Sequence, residues 1–368
     1  MRIGLLITSI GNFGKKGFYN MQEIGLAKEL DKLIDEIIVY KAVSMSVEKS
    51  ISAIDECEHA TLYQIPVRSC GINGIWDCSI MDATLDALVY FSDTQLVVPK
   101  VFKWCCSNNI PMFPYIGVIE SHSTSQWKKT IIDFMFKRNV VVFKKCTCFA
   151  KTPTVAKQLD ALGIVKSVVI PVGLDPSLLR TSYEDYTVEE IKVNYGYSVS
   201  DKVLLFIGRL TEEKQPVKMI EIFSKIREMV PNYKLLMVGS GELKASVESQ
   251  ISDYELMDSV QILESIPNND IWELYRMADS FVNLNRQEIF GMAILEAMYY
   301  GCKVVAWEAP GPNLIIENGK SGWLVRDDEE VIEKIMDNTD ISKDAHMRVI
   351  NEFTWESSAK KILKAVKG

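Results

Sequence analysis

The chain has 368 residues, 48% of them hydrophobic, with 41 lysines and arginines against 49 aspartates and glutamates and a net charge of −8. That length suits two domains of the usual ~100 to 200 residues, and the composition excludes a disordered chain. An acidic balance also argues against nonspecific nucleic-acid binding, which needs a field of positive charge to displace counterions from phosphates.

Taken in order, Arg2–Ile10 reads as a strand, Gly11–Asn20 as a loop, Met21–Leu33 as an amphipathic helix and Glu36–Val43 as a second strand, which together make a βαβ unit. The opening RIGLLITSI is apolar, but it lacks a cleavage site and runs into a glycine loop, so it reads as a first strand and not as a leader peptide. A helix around Asp82–Tyr90, a strand Gln95–Val98, a strand Met112–Val118, a strand Cys148–Ala150 and a helix Pro153–Leu162 follow. Residues 119–139 have no clear period. VVIPVGLD, residues 168–175, carries the proline and glycine of a connection between domains.

The second half alternates strands and helices more regularly. Lys202–Gly208 is a strand, and Pro216 opens a helix at the position where its missing N–H costs least. Ile220, Phe223, Ile226 and Val230 then form an apolar stripe. Lys234–Val238 with Leu243–Ile251, Val260–Leu263 with Ile271–Ala278, and Phe281–Leu284 with Met292–Tyr300 repeat the strand–helix alternation, and Gly301 suits the end of the last helix. Lys303–Ala306 and Trp323–Val325 close the series. The pattern predicts parallel sheets covered by helices on both faces.

Three loops carry the chemistry. In NRQEIFGMAILEAMYYG, residues 285–301, Glu288 lies in a loop, Gly291 opens a helix and Glu296 follows in its early turns. A helix start offers unpaired N–H groups and partial positive charge, so the amides of Phe290, Gly291, Met292 and Ala293 suit a diphosphate. FIGRLTEEKQP, residues 206–216, puts Arg209 and Lys214 between a strand end and a helix start, where two cations clamp anionic oxygens or simply balance Glu212 and Glu213. VGSGEL, residues 238–243, places Gly239 similarly, although a lone GxG is commonly a tight turn.

With IPVGLD at 170–175 and FTW at 353–355, these segments fall in one order that resembles the retaining GT-B glycosyltransferases of family 4, over residues 170–356. The resemblance implies two Rossmann-like domains facing across a cleft, at 1–172 and 173–352, with a closing helix at 353–368 that returns to the first domain. It implies that Arg209 and Lys214 bind the donor diphosphate, that Glu288 holds the transferred sugar, and that Glu296 hydrogen-bonds the ribose hydroxyls. Ile266, within Ser265–Pro267, falls where the family holds the nucleobase. In the first half the match is weaker: Gly17 fits the first glycine of the family's first loop, Phe18 replaces the second, and Lys15 and Lys16 add charge. His122 in ESHSTS is the nearest candidate for the family's functional histidine.

The implied reaction moves a sugar from a nucleotide-diphosphate sugar, UDP-linked by family frequency, to a hydroxyl of a glycan, a lipid-linked or another acceptor. It needs no cofactor and no metal, since no Asp-x-Asp motif sits at a strand end and the cationic work falls to side chains. A nucleotide-sugar epimerase, a phosphorylase and a non-catalytic partner protein of the same fold are the alternatives. Loops around Gly11–Asn20, Gly71–Asp77 and Glu120–Trp127 are expected to shape the acceptor site. The eight cysteines show no zinc-type spacing and read as reduced, mostly buried thiols of a cytoplasmic protein. Residues 1–170 hold 19 basic against 16 acidic side chains, and the remainder 22 against 33. Within that milder half, residues 127–151 interleave basic and apolar side chains. They pack the apolar ones inward with lysines in water, or lie on the anionic inner face of a membrane.

Overall fold

A computed structural model of the chain describes residues 1–10, 22–71, 73–117, 119, 126–176, 179, 186–267 and 270–368, with the backbone alone at 126–129. The chain divides into two compact units, Met1–Gly173 with Trp355–Gly368, and Leu174–Thr354.

The first unit contains strands β1 (Arg2–Ile7), β2 (Glu36–Ser44), β3 (Ser50–Ala53), β4 (Ala60–Val67), β5 (Ser69–Cys70), β6 (Asn73–Gly74), β7 (Ala87–Phe91), β8 (Met112–Ile116), β9 (Cys148–Ala150) and β10 (Ser167–Val169). Its helices are α1 (Gln22–Asp31), α2 (Val98–Ser107), α3 (Gln126–Phe143) and α4 (Pro153–Ala161). Among the described residues the main sheet runs β10-β9-β8-β7-β1-β2-β4-β3, parallel except for the edge strand β3. Helices on a parallel sheet bury its strands on both sides, and β1, β7 and β8 are accordingly almost wholly buried.

That double burial explains the first of two departures from the sequence reading. Residues 82–90 are not a helix. Asp82 closes a turn onto Thr84, with its own N–H donated to the Tyr40 hydroxyl at 3.0 Å, and the apolar run behind it becomes β7. A run that is apolar on both sides carries no period that separates strand from helix. Gln95–Val98 is not a strand either, because Pro99 sits in the first turn of α2, whose Val98, Val101 and Cys105 face the core. The eight cysteines are unpaired, with Cys78, Cys105, Cys146, Cys148 and Cys302 buried.

The last helix, Trp355–Lys367, belongs to this unit and packs on α1. Trp355 lies against Gly25, where a Cβ would stand 2.5 Å from the indole Cδ1. Ser358 donates its hydroxyl to the Pro171 carbonyl at 2.8 Å.

The second unit opens with α5 (Val188–Asn194), capped reciprocally by Thr187 and Glu190. Then come β11 (Lys202–Ile207), α6 (Pro216–Met229), β12 (Tyr233–Val238), α7 (Lys244–Asp253), β13 (Val260–Leu263), α8 (Ile271–Met277), β14 (Ser280–Asn283), α9 (Met292–Tyr299), β15 (Lys303–Trp307), α10 (Pro312–Ile315), β16 (Trp323–Val325), α11 (Asp328–Met336) and α12 (Ser342–Glu352). The sheet order is β13-β12-β11-β14-β15-β16, all parallel. The stripe read from sequence is the buried face of α6: Ile220, Phe223 and Ile226 are inaccessible, with Val230 packed at the margin. No helix among the described residues is long and apolar enough to cross a membrane.

Candidate active site

In the second sheet, chain order runs outward from β11 through β12 and β13 on one side and resumes with β14 on the other. Such a reversal leaves a crevice beyond the carboxyl ends of the two central strands, where ligands of open parallel sheets bind. The loops that leave there are 208–215 from β11 and 284–291 from β14.

These loops are joined by charge. Lys214 Nζ lies 2.6 Å from Glu288 Oε2, and both side chains are mostly buried. The same carboxylate oxygen accepts from the side-chain amides of Asn283 and Asn285 at 3.4 and 3.3 Å. Asn283 Oδ1 in turn accepts the Asn285 N–H at 3.0 Å, and Asn285 Oδ1 the Gln287 N–H at 2.9 Å. Glu288 is thus held at a fixed height above β14 by one ammonium and two amides. On the opposite side, Lys214 ends a short turn of 3₁₀ helix, and Gln215 takes a left-handed conformation, φ 57°, to turn the chain into α6. Glutamine rarely adopts that conformation without local support. Its side-chain amide donates to the Glu212 carbonyl at 2.8 Å.

The third loop has a mechanical part. A Cβ on Gly239 would fall 1.9 Å from the Gly208 carbonyl oxygen, and its φ of 150° is itself disfavoured for other residues. The Leu210 N–H donates to Ser240 O at 3.0 Å, and the Leu243 N–H to Leu210 O at 3.0 Å. The two glycine-bearing loops therefore lie backbone against backbone, more than the tight turn that a lone GxG suggests.

At the start of α9, Gly291 has φ 100° and caps the helix without a side chain. The first N–H groups of a helix have no partner within it, and here they belong to Met292 and Ala293, both half-exposed. Phe290 is buried beneath them, and Gly311 is pressed against its carbonyl, where a Cβ would stand 2.0 Å away. The Gly311 N–H donates to Glu288 O at 2.8 Å. Glu296, one and a half turns into the helix, is only 3% exposed. Tyr275 donates its hydroxyl to Glu296 Oε2 at 2.8 Å, whereas Oε1 has no hydrogen-bond partner. Burial lifts this carboxyl to about 7. A buried carboxylate oxygen without a donor is the kind of group that a ligand hydroxyl satisfies.

The structure therefore brings together Lys214, Glu288, Gly239, Phe290, Gly291, Met292, Ala293 and Glu296 on one end of one sheet. Arg209 lies on the same loop but points outward, 71% exposed and paired with Glu213. Ile266 is half-buried in the segment after β13. Gly17 and His122 lie outside the described residues. Sequence reasoning missed Asn283, Asn285, Tyr275 and Gly311. Two asparagines spaced by one residue at a strand end read first as a turn, so their reach to Glu288 leaves no distinct signal in the sequence.

Residues 187–365 match the family described as glycosyl transferases group 1. The alpha-monoglucosyldiacylglycerol synthase of Streptococcus pneumoniae is 24% identical over 203 residues, 55% of this chain and 46% of that protein. The N-acetyl-alpha-D-glucosaminyl L-malate synthase of Bacillus anthracis is 30% identical over 135 residues, 37% of this chain and 35% of that protein. The chain thus spans less than half the length of these curated relatives. Among solved structures, sucrose-phosphate synthase from Thermosynechococcus elongatus matches all of this chain and 98% of its own, with a TM-score of 0.74 at 15% identity. HepE of Anabaena, solved in complex with UDP and glucose, matches all of this chain and 99% of its own, with a TM-score of 0.69 at 18% identity. These likenesses show the fold, two Rossmann-like units of the GT-B type.

Proposed function

We propose, from the match of residues 187–365 to the glycosyl transferases group 1 family, that this chain is a retaining glycosyltransferase that uses a nucleotide-diphosphate sugar and no metal ion. The observation that carries this reading is the Lys214–Glu288 pair at the reversal between β11 and β14, beside the open start of α9. In the bound state Lys214 turns to the diphosphate, Arg209 leaves Glu213 to join it, and the Met292 and Ala293 amides complete the cradle. Glu288 then holds hydroxyls of the sugar, and Glu296 Oε1 meets the ribose. UDP is favoured as the nucleotide because HepE holds UDP and glucose.

The acceptor oxygen bonds to the anomeric carbon as the bond to the diphosphate oxygen breaks on the same face. The acceptor's proton passes to the departing diphosphate. Preorganised cations and amides stabilise the charge that develops on that leaving group. The test is release of nucleoside diphosphate and free sugar from a panel of nucleotide sugars, in excess chelator and without acceptor. Slow hydrolysis of one donor is expected. No turnover of any donor, epimerisation alone, or loss of activity restored only by magnesium or manganese would overturn the reading.

A lipid or lipid-linked acceptor is favoured by α3. Phe136, Val140, Val142 and Phe143 face the core, but Ile131, Phe134 and Val141 are exposed beside Lys137, Lys144 and Lys145. We read that face as a peripheral contact with anionic membrane. The name of the Streptococcus pneumoniae relative, a diacylglycerol glycoside synthase, points the same way. Co-sedimentation with anionic vesicles that falls as salt rises tests it; no pelleting at low salt would return α3 to a structural part.

A further inference from the structure

Three neighbouring strands of the first unit deliver polar groups to one carboxyl edge. Lys151 follows β9 directly, and its backbone N–H donates to Ile116 O at 3.0 Å. Gly117 follows β8 directly and donates its N–H to Asp93 Oδ1 at 2.7 Å, and Asp93 stands two residues beyond β7. The carboxyl edge of a parallel sheet is where such folds hold ligands.

The lysine is placed with some care. A Cβ on Gly117 would stand 2.6 Å from Lys151 Cδ and 3.3 Å from its Nζ, so the side chain lies across a position that only glycine leaves open. The ammonium stands 5.5 Å from the centre of the Tyr115 ring and makes no hydrogen bond or ion pair with any described residue. Burial lowers its pKa from the ordinary lysine value, with the nearby Asp93 charge acting in the opposite sense. Lys151 as a whole is half-buried, and beside Asp93 the Ser92 hydroxyl is buried without a partner. Unmatched polar groups of this kind are unfavourable until something answers them.

We propose that Lys151 anchors a ligand site in the first unit for a small hydroxylated anion. Its ammonium meets a phosphate or carboxylate oxygen, and the Asp93 carboxylate accepts from a neighbouring hydroxyl. The inference rests on the transferase reading only in making this anion part of the acceptor. A cation that merely stacks on Tyr115 is the structural alternative.

Calorimetric titration of the full chain with glycerol 3-phosphate, glycerate and glycerol separates the possibilities, since the three share one carbon skeleton and differ in charge. At least one anion binds and glycerol does not, and the tighter anion identifies the group recognised. Lys151→Met weakens that anion about ten- to a hundredfold, as loss of a charged hydrogen bond does. Lys151→Arg retains most of the affinity, and Gly117→Ala weakens binding by displacing the lysine stem while keeping its charge. No binding of either anion, equal binding of glycerol, or wild-type affinity in Lys151→Met would overturn the site. Should Lys151→Met not fold, wild-type affinity in Gly117→Ala would overturn it equally. UDP titrated in parallel reports the second unit: its failure to bind would count against the transferase reading and leave the anion site standing.

Discussion

In both units the chain order reverses beside a central first strand, β1 against β7 in one and β11 against β14 in the other. The segments beyond those strands are held differently. In the second unit they hold one another, Lys214 to Glu288 and Gly239 to Gly208, within loops of a few residues. In the first unit the segment after β7 is held by a distant helix. Asn139 donates to Asp93 O and Gln95 O at 3.2 and 3.1 Å, and Arg138 to Leu96 O at 2.7 Å. Loops that grip each other through charge and glycine leave short local motifs in a sequence. A loop whose backbone carbonyls are held by the side chains of a helix leaves no such motif.

Four substitutions test this contrast between the units. Lys214→Ala has the largest effect, a fall of ~10² to 10³ in turnover, the cost of removing the cation proposed to meet the leaving group. Donor hydrolysis measured beside the melting temperature shows whether the loss is chemical. Gly239→Ala comes next, because the new methyl meets the Gly208 carbonyl and an unfavourable φ. It should cost about 2 to 4 kcal/mol by urea unfolding, and unchanged stability would mean that the two loops separate freely.

Glu296→Gln is read against pH. The native carboxyl titrates at about 7, and an unfolded glutamate at about 4.3. Between these values the native state keeps a proton that the unfolded chain has released. This contribution to stability is present below the lower value and is lost as pH rises through the upper one. The variant stays neutral throughout, so its stability relative to wild type should grow from pH 5 to pH 8, by about 3 kcal/mol at most. A constant difference across that range would place the wild-type titration elsewhere. Phe134→Ser has the smallest effect: vesicle binding should weaken about tenfold with no change in donor hydrolysis, as expected for one exposed apolar side chain.

The second unit was legible because its strands, helix starts and charged loops follow one another with regular spacing. Lys202–Gly208, the Pro216 helix and the Glu288-to-Glu296 segment fall in the structure within a residue or two of where the pattern puts them. What the pattern could not show was Asn283 and Asn285 reaching Glu288, because asparagine at a strand end reads first as a turn. Nor could it show that Glu296 is buried, since a glutamate in a helix is ordinarily a solvated one. In the first unit, apolar β7 was mistaken for part of a helix, and Lys151 passed as one lysine in a basic stretch. Its isolation depends on Gly117, thirty-four residues earlier and one strand over.

On the proposed function, Arg209 and Lys214 serve one bound diphosphate from the loop after β11. The most direct test is kcat/KM for donor hydrolysis by Arg209→Ala, Lys214→Ala and the double variant, each beside its melting temperature. Two side chains on one leaving group act as a unit, so the double variant should fall well short of the product of the two single losses, with all three melting near wild type. Near-wild-type rates in both single variants, or losses that multiply fully, would contradict a shared diphosphate at this site.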